Sequence, residues 1–398
     1  MKACCHSTGQ KEINPYHMED NLWTHTLLVY NQLEDNIFNQ PYKRRYLTAL
    51  FHDMGKINTR GLFTSKSGKE CVSFQGHEYA SLQYLFNACS DPEFCSVDET
   101  KINIRDMIDS AILINNHNMF YSDIKNKKLY GYYNFDSSLL KDGEYFANLD
   151  KNGRFTIPGS KKLSTRIINI VDEDWNYTEQ FINKDPSYVK REQKHCSIVG
   201  SLPSHKTPVG SLYNVSHEDI TEDDIDVWIY CGIPGCGKDK IAAYNNNFII
   251  SLNNIRLDRY RKLGIKPHSD PKVEYKEAHK YFDLHKREIN LINETKIELE
   301  KLRGVNNTIG VNESIAICNT NLKKKFRNQL TSIIRQVYGK DVKIGCKFII
   351  CDTEKCVERD LLREDKTVGR NIVEHFARNI NLPTLREDFD LVSYQTNY

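Results

Sequence analysis

The chain has almost no net charge: 55 basic side chains against 53 acidic ones leave +2 at neutral pH. No global field draws it to nucleic acid, so any such contact must come from local patches. No apolar run approaches the length of a membrane span, so no membrane association is expected. The opening MKACCHSTGQKEINPYH lacks the apolar core of a signal peptide. The 12 cysteines show no regular framework, and the pair Cys351 and Cys356 has no second pair nearby, which argues against a zinc site there. A cytoplasmic protein with reduced thiols is the expectation. Internal repeats and low-complexity tracts are also missing. What remains is an ordinary globular composition, 39% hydrophobic and 27% charged, in 398 residues, enough for roughly two domains by the usual length prior.

Two periodicities divide the chain. Up to about residue 185 apolar residues recur at helical spacing: Leu22, Thr26, Val29, Leu33 and Ile37 share one face, and Tyr46, Leu47, Leu50, Phe51 and Met54 another, with Gly55 placed to end that helix. Further helices are expected near 77–89, 103–117 and 163–175. Residues 186–224, rich in Ser, Pro, Gly and His and then acidic, read as a linker. Beyond them short, fully apolar runs at 227–232, 247–252, 314–318 and 346–352 alternate with helical stretches, the pattern of a mostly parallel α/β sheet. The expected fold is an all-α bundle over 14–185, then an α/β domain over 225–398.

Within the helical half, TALFHDMGK sets His52 and Asp53 side by side in an apolar run. Alone, the pair fits a satisfied core histidine beside a capping aspartate. Candidates to join it in a metal set are His25 in NLWTHT, His77 in QGHEYA, His117 in LINNHNMF and Asp172 in NIVDEDW, each on or at the end of an expected helix. Imidazole and carboxylate suit a borderline or hard divalent ion such as Mn, Ni, Co, Fe or Mg. Lys56, just past Gly55, can hold a phosphate oxygen as a point charge.

The ordered pattern H…HD…H…H…D resembles the HD phosphohydrolase superfamily. NPYHMEDNLWTHTLLV, LFHDMGK and FQGHE carry the resemblance, which covers about 14–176 with residues 120–162 reading as an insertion. It implies that His25, His52, Asp53 and Asp172 are the minimal metal ligands, with His77 and His117 completing a second position. Asp174 stands two residues beyond Asp172, and the choice between them stays open.

In the second half, VWIYCGIPGCGKDKIA places Gly232, Gly235, Cys236, Gly237 and Lys238 between a buried strand and a helix. Glycines there let backbone N–H groups approach the phosphates of a nucleotide at a helix N-terminus, and Lys238 reaches the β and γ phosphates. Asp239 occupies the position where Ser or Thr usually holds Mg²⁺. This loop is similar to that of polynucleotide kinases, and more of that pattern follows: IISLNNIR, CNTNLKKKFRNQL and VERDLLRE. By the resemblance Lys238, Asn253, Arg256, Arg359 and Arg363 take catalytic positions, and Thr320 and Asn321 join the nucleotide-binding set. Asn253 departs from the family, which has Asp there, and an amide cannot take a proton from a hydroxyl.

Together the halves resemble bifunctional bacterial and phage HD–polynucleotide kinases, which heal broken RNA ends. The resemblance implies a metal-dependent HD domain that hydrolyses 2′,3′-cyclic phosphate or 3′-phosphate ends. It also implies a P-loop domain that phosphorylates 5′-OH ends with ATP or GTP and Mg²⁺. RNA ends, with DNA ends left open, and a separate RNA ligase are the expected partners. The alternative is an HD nucleotidase or dNTP phosphohydrolase whose P-loop half senses nucleotide.

Overall fold

The computed structural model describes residues 21–33, 42–154 and 212–398, apart from positions 65, 67, 69, 98–99, 119–136, 217–219, 264–267, 285–289, 306–313 and 365. The chain divides into two units, Met1–Thr207 and Pro208–Tyr398.

In the first unit the helices are α1 (Leu22–Tyr30), α2 (Tyr42–Phe51), the single turn α3 (Lys56–Thr59), α4 (His77–Cys89), α5 (Ile104–Asn116) and α6 (Ser137–Asn152). Their starts are written in the sequence. The Asn21 side chain accepts from the Thr24 N–H at the head of α1, and Asn103 and Asp106 form a reciprocal capping box at the head of α5. Between α3 and α4 lies a short hairpin, β1 (Gly61–Thr64) with β2 (Glu70–Ser73), and before α5 a two-residue pair, β3 (Ser96–Val97) with β4 (Thr100–Lys101). Val29 and Leu33, Tyr46 and Ala49, and Phe146 and Leu149 bury against one another, so α1, α2 and α6 share a core.

Within the stretch read as an insertion, 120–162, the residues Ser137–Asn152 form helix α6. Its apolar residues Leu139, Phe146 and Leu149 are buried, but Asp142, Gly143, Glu144 and Asp150 interrupt the helical pattern. An ion network explains Asp142. Arg44 on α2 pairs with Asp142 and reaches Asp109 on α5 at 3.2 Å, while Arg45 reaches Asp142 at 2.6 Å. Asp142 is thus a brace between helices.

The second unit is built on a six-stranded sheet in the order β5-β10-β9-β6-β8-β7: β5 (Leu212–Ser216), β6 (Val227–Cys231), β7 (Phe248–Ser251), β8 (Ile315–Cys318), β9 (Ile344–Ile350) and β10 (Leu391–Thr396). All neighbours are parallel except β5, which runs antiparallel to β10. The helices are α7 (Lys238–Asn245), α8 (Leu252–Lys262), α9 (Pro271–Leu284), α10 (Leu291–Val305), α11 (Lys324–Tyr338), α12 (Thr353–Leu361) and α13 (Arg370–Ala377). Because β6 is flanked by β8 on one side and β9 on the other, the connections diverge at its carboxyl end, where ligands bind in open α/β sheets.

The stretch expected to be a linker contributes β5 and the turn Glu222–Asp224 to this unit, so the boundary falls earlier than residue 225. The polar composition hid this. Glu222 pairs with Lys347, which lies buried in β9, at 2.7 Å and accepts from Ser393 of β10 at 2.9 Å. No helix among the described residues is long and apolar enough to cross a membrane. The helix expected over 163–175 lies outside the described residues.

Candidate functional site

Helix α2 ends at Phe51, and residues 52–55 form a turn, so Gly55 does not cap the helix as its spacing suggests. Its role is close approach. A Cβ on Gly55 would lie 2.0 Å from the His77 carbonyl oxygen and 2.6 Å from the Ser81 nitrogen, so only glycine lets this turn sit on the start of α4. Ser81 fixes the contact, accepting from the Gly55 N–H at 2.9 Å and donating to the His52 carbonyl at 2.8 Å. The turn therefore carries His52 and Asp53 against His77.

Six side chains meet there, all buried: His25 from α1, His52 and Asp53 from the turn, His77 from α4, His117 at the end of α5, and Asp150 near the end of α6. Each imidazole has its Nδ1 against a backbone carbonyl: His25 to Gly153 at 3.2 Å, His52 to Ala49 at 3.0 Å, His77 to Phe74 at 2.8 Å and His117 to Ile114 at 2.6 Å. A carbonyl can only accept, so each Nδ1 carries the proton, and in the neutral ring Nε2 is left as a lone pair. Those lone pairs converge. His25 and His52 bring their Nε2 atoms to 3.3 Å of each other, and His77 and His117 do the same. Two lone pairs facing at that distance need a cation between them.

The carboxylates complete two donor groups, His25 with His52 and Asp150, and His77 with His117 and Asp53. Asp150 Oδ1 is 2.9 Å from His25 Nε2. Asp53 spans both groups, with Oδ1 at 3.2 Å from His77 and Oδ2 at 3.4 Å from each of His25 and His52. Burial opposes charge on Asp53, but Lys56 and then His52 hold it well below the usual carboxylate range. Asp150 is held low in the same way, against burial, by Arg154 and His25. Burial and neighbouring His77 push His117 down to about 3, which keeps it neutral and able to donate its lone pair. Buried His and Asp donors of this kind fit a divalent metal ion.

Lys56 is buried, with Nζ 2.6 Å from Asp53 Oδ2 and over the Phe74 ring, so in this structure it serves Asp53. Asp172 and Asp174 lie outside the described residues. Asp150 was missed because it falls within the stretch read as an insertion, although it lies one residue beyond Leu149 of the buried helix face.

In the second unit the loop after β6 wraps the head of α7. Gly235 sits at φ +83, and a Cβ there would meet the Cys356 carbonyl oxygen at 2.1 Å, so the turn tolerates no side chain. Gly232 donates its N–H to the Thr320 carbonyl at 3.0 Å, and Asn397 Nδ2 donates to the Cys236 carbonyl at 2.7 Å, anchoring the loop to the strand ends. Cys236 is fully buried, and burial pushes its thiol up to about 11, so it packs. Lys238 is buried at the helix start, where the backbone dipole favours an anion.

Beside the loop lies a cleft of about 740 Å³, lined by Pro234, Lys238 and Asp239, by Asn253 and Arg256 of α8, by Tyr275 and His279 of α9, by Asn319 and Thr320, and by Arg363 and Lys366 after α12. Its volume suits a small-molecule ligand. Asp239 is ringed by cations, with Lys366 at 3.4 Å, Arg363 at 3.5 Å and Lys238 at 3.9 Å. Asp360 shapes the segment that carries the first two, accepting from Thr367 Oγ1, Val368 N and Gly369 N at 2.9–3.0 Å.

Two expected site residues brace the walls of the site. Asn321 donates to the Tyr230 carbonyl at 2.8 Å, and Arg359 donates to Cys351 Sγ at 3.2 Å and to the Asn397 carbonyl at 3.1 Å. Neither lines the cleft. Tyr275, His279 and Lys366, which do, escaped the sequence reading because they lie outside the recognised motifs. Compared with known proteins, the chain matches no family model and no curated protein.

Proposed function

We propose that the protein is an RNA end-healing enzyme whose helical unit is an HD-type metal-dependent phosphoesterase and whose sheet unit is a P-loop polynucleotide 5′-kinase. The observation that carries the reading is the convergence of four Nε2 lone pairs on two carboxylates in the order His25, His52–Asp53, His77, His117. His25, His52 and Asp150 would hold one divalent ion, and His77, His117 and Asp53 a second, with Asp53 shared between them. A divalent ion at such a site supplies Lewis acidity, activating water near neutral pH and screening phosphoryl charge. The protein's own share is orientation: backbone carbonyls fix each tautomer, and Lys56 and Arg154 keep the two carboxylates ionised.

In the sheet unit the glycine loop, the α7 N-terminus and Lys238 would cradle the phosphates of ATP or GTP, with Arg256, Arg363 and Lys366 facing the transferred group. An RNA break presents a 3′-phosphorylated end and a 5′-hydroxyl end, which is why the two chemistries suit one chain, with joining left to a separate ligase.

End-mapping of a nicked RNA incubated with ATP and Mn²⁺ tests the reading. Conversion of a 2′,3′-cyclic phosphate or 3′-phosphate to a 3′-hydroxyl, together with 5′-phosphorylation, is expected. Asn253 favours one rival. Its Oδ1 accepts from Arg256 at 3.0 Å and it carries no charge, as suits a P-loop unit that senses nucleotide beside an HD nucleotidase. Phosphate release from free nucleotides with none from the oligonucleotide would decide for that rival.

A further inference from the structure

If the cleft transfers phosphoryl groups, something other than Asn253 must take the acceptor proton. The carboxylate next to Lys238 is a poor candidate, since Asp239 is held by Arg363 and Lys366. Asp258 is exposed and does not line the cleft. Helix α9 offers another group. Tyr275 and His279, four residues apart, share one face of it, and their rings pack at 4.4 Å between centroids. The Tyr275 hydroxyl lies 3.5 Å from Asn253 Oδ1, so this pair borders the position where the family's carboxylate would stand. His279 lines the same cleft, and its Nε2 is shielded from solvent with no hydrogen-bond partner. A buried polar atom without a partner calls for one, and the side chain that carries it lines a ligand-sized cleft.

We propose that His279 is the general base of phosphoryl transfer in this cleft, its Nε2 taking the proton of an acceptor hydroxyl. The proposal rests on the reading of the sheet unit as a kinase. As the acceptor oxygen bonds the γ phosphorus, the bond from that phosphorus to the β–γ bridging oxygen breaks. The nucleoside diphosphate leaves with the electron pair, and the hydroxyl proton passes to Nε2 and then to water. The groups acting on the ring are Arg256 from α8, Lys366 from the segment after α12, and Tyr275 and Asp283 from its own helix. Burial, then Arg256, push the imidazole down to about 4, against the opposing pull of Asp283. It is therefore neutral at physiological pH, with a basicity close to that of the aspartate missing at 253.

The test uses the full chain with Mg²⁺-ATP and a 5′-hydroxyl RNA oligonucleotide. His279→Ala should lower 5′-phosphorylation by about 10²-fold or more while ATP binding is unchanged, and added imidazole should restore part of the rate. The acidic limb of the wild-type pH–rate profile should fall near 4 and be lost in the variant. If His279→Ala lowers the melting temperature, His279→Asn carries the same test. Full activity without His279, or a loss that imidazole does not rescue and that leaves the pH profile unmoved, overturns the assignment. So does a loss in Asp283→Asn with none in His279→Ala. A wild-type chain that binds ATP but phosphorylates no acceptor overturns the kinase reading itself, and this proposal with it.

Discussion

In the helical unit the six donor side chains are carried in from four helices and one turn, which supplies both His52 and Asp53, and the backbone contributes only carbonyls that fix tautomers. In the sheet unit the centre is one continuous loop shaped by glycines, with charged side chains arranged around it. The first depends on how five helical segments pack, the second on one strand, one turn and one helix. A packed constellation is therefore exposed to any change that shifts a helix. A loop of this kind is exposed mainly to changes within itself.

The sharpest way to break the contrast is to remove the shared carboxylate and its neighbour. His52→Ala with Asp53→Ala should take hydrolysis of a 3′-phosphorylated RNA to background and abolish bound metal in elemental analysis, with ATP binding intact. Retained hydrolysis after chelation would overturn the metal reading.

Next is the brace. Arg44→Ala together with Arg45→Ala leaves Asp142 buried without either of its arginine partners, and breaking a buried pair from one side costs about 3–5 kcal/mol. Urea unfolding of the helical unit should report a loss of that order, and metal affinity should fall with it because α6 carries both Asp142 and Asp150. ATP binding should not respond.

A finer test concerns which aspartate closes the first donor group. Asp150→Asn should weaken metal affinity by at least about 10–100-fold, the range for losing even an outer-shell partner. Asp172→Asn and Asp174→Asn, titrated alongside, should leave it unchanged. The reverse result would transfer the role from Asp150.

The smallest effect belongs to the loop. Gly235→Ala puts a side chain at φ +83 against the Cys356 carbonyl, and strain of this kind costs about 1–3 kcal/mol. ATP affinity should drop by a comparable factor, measured by fluorescence titration, while RNA 3′-end hydrolysis is unchanged.

How much of this was legible in the chain follows the same division. The glycine loop could be read because its geometry is local, and His52 and Asp53 stood out because adjacent polar residues in an apolar run demand partners. The four histidines could be gathered because they recur in the order H…HD…H…H, each on or at the end of an expected helix. Asp150 could not, because α6 reads as polar until Arg44 is seen pairing with Asp142. Strand β10 was missed for a similar reason. Its LVSYQT carries Ser393, Gln395 and Thr396, yet Ser393 is fully buried, satisfied by Glu222 from a distant turn. Polar groups whose partners lie far along the chain look exposed in sequence.

Strand β5 has a bearing on how the sheet unit can be handled by itself. It is the antiparallel edge, covering β10 from Leu391 to Gln395. A fragment begun at residue 225 would strip that cover and leave the backbone donors and acceptors of a largely buried strand open along one side. Such a row recruits another chain, so the truncated unit should self-associate through β10. A fragment begun before Leu212 keeps its own last strand shielded and should stay monomeric.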